Sequence, residues 1–138
     1  MFAFNINFLA VVVAAVATFV IGALWYSPLL FGKQWMKAHG YTPEKLKEMQ
    51  KSAMRAYAVS FVCYLVMATV LGVLTAMTNT YTAKGGAWLG LLCWLGFAAT
   101  IGLTSNMFSE KPLSTYLIDA GYQLVYLLAM GAIIAVWR

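Results

Sequence analysis

Charge is what this chain has least of. Of its 138 residues only 9% are charged and only four are acidic, against about 25% charged in a typical soluble domain. Catalysis by paired acids and bases therefore has almost nothing to draw on, and the chain is not expected to be an enzyme. Histidine occurs once, as His39, and cysteine twice, as Cys63 and Cys93. Each cysteine falls midway along an apolar run, outside any CxxC or metal-ligand spacing, so zinc, haem and iron–sulfur sites are not supported. Buried thiols acting as small hydrophobes are the expectation. His39 stands beside Gly40 in a polar stretch, where an interfacial or solvated role fits better than ligation. No cofactor is implied.

What is present in excess is apolar sequence. Hydrophobic residues make up 63% of the chain and the mean hydropathy is +0.80. Four runs stand out: Phe8 to Trp25 with an extension to Leu30, Ala56 to Met77, Gly85 to Met107, and Leu113 to Trp137. At about 1.5 Å per residue each can cross hydrocarbon. Their length and lack of alternation call for helices rather than barrel strands. The expected fold class is all-α: a polytopic membrane protein with a four-transmembrane-helix bundle in a single domain, residues 1-138. The expected spans are about 7-30, 56-77, 85-107 and 113-137, with a basic cytoplasmic segment at 31-55. The first run imitates a signal peptide, with Ala15-Val16-Ala17 resembling a cleavage site. However, Met1 to Asn7 has no Lys or Arg, and the apolar stretch continues past that triplet, so a membrane helix is expected.

The net charge of +5 points to topology rather than nucleic acid, because six of the nine Lys/Arg lie in one inter-helix segment: Lys33, Lys37, Lys45, Lys47, Lys51 and Arg55. Basic loops are held on the cytoplasmic face. With Lys111 on the same side and only Lys84 and Arg138 opposite, both termini are expected outside a bacterial inner membrane. Trp25, Tyr26 and Trp35 would then mark the cytoplasmic interface, and Tyr81, Trp88 and Trp137 the outer one. Trp94 is too deep for either and is expected between helices.

Gly40 to Arg55 is the one sizeable hydrophilic stretch. Thr42-Pro43-Glu44 reads as a helix start, with Thr42 as cap, Pro43 at the first helical position and Glu44 at the positive dipole end. No breaker follows, so one long helix is expected from about Pro43 to Met77, its first turns forming a cytoplasmic extension of the second span. Anionic lipid is a candidate partner for this basic segment.

Asp119 is the sharpest signal. It is the one charged residue between Leu113 and Trp137, where a carboxylate costs about 2.5–3.5 kcal/mol by insertion scales. Gln123 shares its helix face, and Tyr116 and Tyr126 do so approximately, with Tyr122 turned partly away. By depth alone the same half of the bundle holds Arg55, Tyr57, Ser60, Ser105, Asn106 and the run Trp25 to Pro28. The candidate intramembrane polar cluster is therefore Asp119, Gln123, Asn106, Arg55, Tyr26 and Tyr116. Three readings compete: a structural carboxylate paired with Arg55 or Lys33, a proton- or cation-linked binding site in a small carrier, and a catalytic acid or base.

Small residues recur at four-residue spacing: Ala10, Ala14, Thr18 and Gly22; Ala56, Ser60, Ala68, Gly72 and Ala76, interrupted by Tyr64; and Gly86, Gly90, Ala98 and Gly102. Such rows let helix backbones approach closely in lipid. They serve either the packing of the bundle itself or a homo-oligomer interface.

Pro28 ends the first apolar run within Gly22-Ala23-Leu24-Trp25-Tyr26-Ser27-Pro28-Leu29-Leu30-Phe31-Gly32-Lys33-Gln34-Trp35-Met36. This stretch, in pattern roughly GxLWYSPxLFGxxWM, resembles the signature of domain-of-unknown-function family 1761, small bacterial and fungal membrane proteins. Trp25, Tyr26, Ser27, Pro28, Gly32 and Trp35 carry the likeness, and the four-span layout and the closing segment from Gly121 to Trp137 are similar too. The resemblance implies membrane architecture and brings no activity or catalytic residue with it. The leading functional expectation is a self-associating scaffold or accessory subunit in the lipid bilayer. The alternative is a proton-coupled small-molecule carrier built on Asp119.

Overall fold

The four apolar runs fold as helices long enough to cross a membrane, Phe8–Trp25, Ala53–Met77, Ala83–Phe108 and Leu113–Val136. The computed structural model describes residues 5–137; the expectations resting on Met1 to Phe4 and on Arg138 lie outside them. Among the described residues the secondary structure is helical throughout. In order the elements are α1 (Phe8–Trp25), α2 (Gly32–His39), α3 (Pro43–Lys51), α4 (Ala53–Met77), α5 (Ala83–Cys93), a π-helical turn (Trp94–Ala98), α6 (Ala99–Phe108) and α7 (Leu113–Val136). The third span is thus α5 and α6 joined by the π turn.

Helix starts follow their caps. Asn7 accepts from the backbone N–H of Leu9 and Ala10 at 3.0 and 3.2 Å, and Thr82 accepts from Gly85 at 3.0 Å. Thr42 accepts from Lys45 at 3.2 Å with Pro43 in the first turn, as its sequence requires. Three expectations need correction. The first span ends at Trp25 rather than near Leu30, because the chain turns at Tyr26. The single helix from Pro43 to Met77 is two, broken at Ser52. There the Ser52 hydroxyl donates to the Met49 carbonyl at 3.2 Å, a side-chain bond that competes with helix continuation. And Cys63 is exposed rather than buried, while Cys93 is half-buried; both are free.

α7 is the hub. It packs most extensively on α5, then on α1 and α4. Gly86 and Gly131 face each other so closely that their backbones touch, and Gly90 meets the Leu127 carbonyl in the same way. On the other side Ala10, Ala14 and Thr18 of α1, Ala68 and Leu71 of α4, and Met130 and Ile134 of α7 are buried together. Thr18 and Thr75 bury their hydroxyls by donating back to the carbonyls of Ala14 and Gly72, each at 2.9 Å, which satisfies them without a partner helix. The opposite faces carry Val59, Val62, Val66 and Val70 of α4 and Leu92, Leu95 and Ile101 of the third span, all exposed. Apolar surface on this scale suits a lipid solvent and not water.

Candidate functional site

The turn after α1 builds the site. The Phe31 N–H reaches the Trp25 carbonyl at 2.9 Å, and those of Leu30 and Gly32 reach the Ser27 carbonyl at 3.1 and 3.0 Å. The Ser27 hydroxyl donates to the Leu24 carbonyl at 2.7 Å. This fold-back brings Gly32 against the turn's own backbone, where a Cβ would lie 2.3 Å from the Tyr26 carbonyl oxygen. Only glycine fits there. α2 therefore starts beside the end of α1 and returns Trp35 toward the bundle.

Asp119 is where these elements meet. Its Oδ1 accepts the Tyr26 hydroxyl at 2.5 Å and the Trp35 indole N–H at 3.1 Å. On either side of it in α7, Trp25 donates to the Ile118 carbonyl at 2.9 Å and Trp94 to the Ala120 carbonyl at 2.8 Å. Three tryptophans from three helical segments thus grip three successive residues of α7. Hydrogen bonds to a charged group are worth about 1.5–3 kcal/mol each. Two of them offset the insertion penalty of about 2.5–3.5 kcal/mol, so the carboxylate is held without a counter-ion.

No counter-ion is in fact present among the described residues. Arg55 and Lys33 are exposed, and the one ion pair is Lys45–Glu48, an exposed contact at 4.0 Å. The pairing of Asp119 with Arg55 or Lys33 is not formed. The sequence cluster divides accordingly. Tyr26 joins Asp119, whereas Asn106 donates to the Pro112 carbonyl and the Thr115 hydroxyl, each at 3.3 Å, and so braces the turn into α7. Tyr116 donates to the Ala99 carbonyl at 2.8 Å. Gln123 is half-buried, and its side chain is not bonded to Asp119. Sequence reasoning missed Trp35, which it placed at the interface, and the role of Tyr122, which is turned from the Asp119 face and buried against α1 and α4. It also passed over Tyr64, read only as an interruption in a row of small residues.

These tyrosines form a second network. Tyr122 donates to the Thr18 carbonyl at 2.9 Å, and the Tyr64 hydroxyl lies 3.3 Å from that of Tyr122. The Tyr26 and Tyr122 rings meet edge to face with centroids 5.3 Å apart, as do Tyr26 and Trp35 at 5.8 Å. Such pairs add about 0.5–1.5 kcal/mol each beyond burial. Between them, α1, α2, α3, α4 and α7 line a half-open cavity of about 700 Å³. Six of its walls are aromatic: Phe19, Tyr26, Trp35, Tyr57, Tyr64 and Tyr122. Met36 and Leu46 close it from α2 and α3; the sequence reading has a helix over α3 but none over α2.

α2 ends at Gly40 with φ +68°, its N–H bonded to the Lys37 carbonyl at 3.1 Å and that of Tyr41 to Met36 at 3.3 Å, a glycine-terminated helix end. The turn stacks His39 between Trp35 and Tyr41, centroids 4.2 and 4.9 Å away. His39 Nε2 is enclosed with no hydrogen-bond partner among the described residues. Burial lowers the His39 pKa below its usual 6.5, Lys111 adds to this, and Asp119 acts against it. The fold thus favours neutral imidazole. The stability this contributes is complete above pH about 6.5 and is lost as pH falls through the lower folded value. Amide exchange across residues 32–51, corrected for intrinsic rates, is expected to accelerate in that window. His39→Gln should remove the acceleration; an unchanged profile in that variant would assign it to another group.

The helices and the gripped carboxylate define a class, the four-span α-helical membrane protein with a half-open, aromatic-walled cavity beside a buried acid. The family model described as "Protein of unknown function (DUF1761)" matches residues 9–135, and the chain belongs to this family. No curated protein and no solved structure matches it. Of the six residues behind the resemblance, Trp25, Tyr26, Ser27, Gly32 and Trp35 build the Asp119 site, and Pro28 lies in the turn between them.

Proposed function

We propose that this protein binds a small organic molecule in the cavity between α1 and α4, with the Asp119–Tyr26–Trp35 network as its polar wall. The observation that carries this reading is the cavity itself. Its volume of about 700 Å³ falls within the range of small-molecule sites, about 300–1,000 Å³, and its lining is mainly apolar and aromatic with a few convergent polar groups, as such sites are. An intramembrane carboxylate held without a counter-ion points the same way. This is the carrier alternative in its binding step. It takes precedence over the scaffold reading because Gly86, Gly90 and Gly131, which would suit an interface between copies, are used up inside the bundle. By the distribution of Lys and Arg, the cavity end faces the cytoplasm.

Ala23 lies on the cavity wall and is exposed, so Ala23→Phe fills the cavity without disturbing the core. Binding is read in nonionic detergent as saturable quenching of tryptophan emission by three compounds of one shape: pyrenylmethylammonium, pyrenylmethanol and pyrenecarboxylate. At least one is expected to bind saturably, and Ala23→Phe should weaken it about tenfold or more, or about 1.4 kcal/mol, with the thermal midpoint unchanged. If none of the three shows saturable quenching sensitive to Ala23→Phe, the cavity is not a ligand site.

A further inference from the structure

The hydrogen-bond directions in the cavity wall carry information about charge. A tyrosine hydroxyl has one proton to give. Tyr26 gives its proton to Asp119, and Tyr122 gives its own to the Thr18 carbonyl. The contact between Tyr64 and Tyr122 at 3.3 Å therefore runs from Tyr64 to the Tyr122 oxygen. The protons of these three hydroxyls are committed, so toward a guest Tyr26 and Tyr122 offer lone pairs and ring faces; Tyr57 and Ser60, also on the wall, add neutral hydroxyls that can donate or accept. The Trp35 indole N–H, which could serve an anion, is likewise committed to Asp119.

No lining residue is a Lys, Arg or His; Lys33, Lys37, Arg55 and Lys111 are exposed, and His39, stacked on Trp35, is favoured in its neutral form by burial. Directly behind the wall stands Asp119, bonded to two lining side chains and paired with no cation among the described residues. The site combines acceptor oxygens, π faces and an unbalanced carboxylate. We infer that its ligand is a monovalent organic cation with an apolar body. This rests on the cavity being a ligand site, as proposed above.

Two effects set the size of the preference. A desolvated cation over a Tyr or Trp face gains about thirtyfold in affinity, and the carboxylate adds to that. Loss of the cation's own hydration works against both. A net preference of about tenfold or more over a neutral compound of the same shape is expected. The chain's net charge of +5 attracts anions over cations to the molecule as a whole, so charge-driven non-specific binding would place the carboxylate above the ammonium compound.

The test is the ranking of the same three compounds in nonionic detergent. Pyrenylmethylammonium is expected to bind about tenfold or more tighter than pyrenylmethanol, and pyrenecarboxylate weakest. Asp119→Asn keeps an oxygen for Tyr26 and Trp35 while removing the charge, and should bring the cation-to-neutral ratio close to one. Should the neutral or anionic compound bind as tightly as the cation, the charge assignment is overturned while the cavity stands as a site. A cation preference that survives Asp119→Asn overturns Asp119 as its source. If no compound binds in a manner sensitive to Ala23→Phe, the cavity reading fails instead, and the cation inference with it. The wild-type ranking decides the charge question even where Asp119→Asn fails to fold.

Discussion

Gly86→Ala is expected to destabilise the bundle by about 3 kcal/mol, at the upper end of the usual range for overpacking. The added Cβ would sit 2.0 Å from the Gly131 carbonyl oxygen and 2.6 Å from the Ala135 Cβ. A flexible side chain can swing away from such an overlap, but a helix backbone cannot. α5 and α7, the most extensively packed pair, must separate, and contacts along their length are lost together. Gly131→Ala should behave in the same way, since its Cβ would lie 2.1 Å from the Gly86 carbonyl oxygen. Gly96 provides the contrast. It is exposed in the π turn and nothing lies within 4 Å of an added Cβ, so Gly96→Ala should be neutral or gain about 0.5–1 kcal/mol. Reversible unfolding in mixed micelles measures both. Equal stability for Gly86→Ala and Gly96→Ala would show that α5 and α7 do not approach this closely.

The second large effect falls on the site. Gly32→Ala places a Cβ 2.3 Å from the Tyr26 carbonyl oxygen and 2.9 Å from the Ser27 carbonyl group. Both belong to the backbone of the turn, so α2 has to move as a unit and take Trp35 with it. The hydrogen bond from Trp35 to Asp119 should break, removing one of the two bonds that hold the carboxylate. A loss of about 1–3 kcal/mol is expected, together with binding in the cavity weakened by more than tenfold. The emission of Trp35, isolated by comparison with Trp35→Phe, should shift toward that of a more solvated indole. Wild-type Trp35 emission in Gly32→Ala would mean that the turn can open without displacing α2.

The helices were legible because the bilayer allows so few alternatives. Long apolar runs must close their own hydrogen bonds, so Phe8–Trp25 and Leu113–Val136 follow from length and composition. The cap at Thr42 was readable for a local reason, since a hydroxyl three residues before an N–H needs no tertiary contact. The break at Ser52 was not readable: it contains no proline or glycine, and the competing bond to Met49 shows only in coordinates. α2 was hidden in the same way, as an eight-residue helix of mixed character that gains its stability from packing on α7.

The site was half visible. A lone carboxylate marks itself in any apolar run, and the stretch from Trp25 to Trp35 marks itself by its pattern. Nothing in either says that they touch, because Tyr26 and Asp119 are separated by two spans. Depth put Asn106 and Arg55 near Asp119, but depth leaves out azimuth: Asn106 bonds elsewhere and Arg55 faces outward. Helical spacing put Tyr116 on the Asp119 face, yet its hydroxyl reaches the Ala99 carbonyl of the third span.

What the sequence determined alone is therefore whatever depends on transfer free energy and local hydrogen bonding: the class of fold, the number of spans, the basic end and the presence of one costly carboxylate. The tertiary structure decided what that carboxylate is bonded to. Rotation of α1 and α7 about their axes chose Tyr26 and Trp35 over any cation, and close glycine contacts held that rotation in place. Helix rotation is set by the sum of many small packing contacts, each about 0.1–0.2 kcal/mol, and no single residue announces that sum in advance.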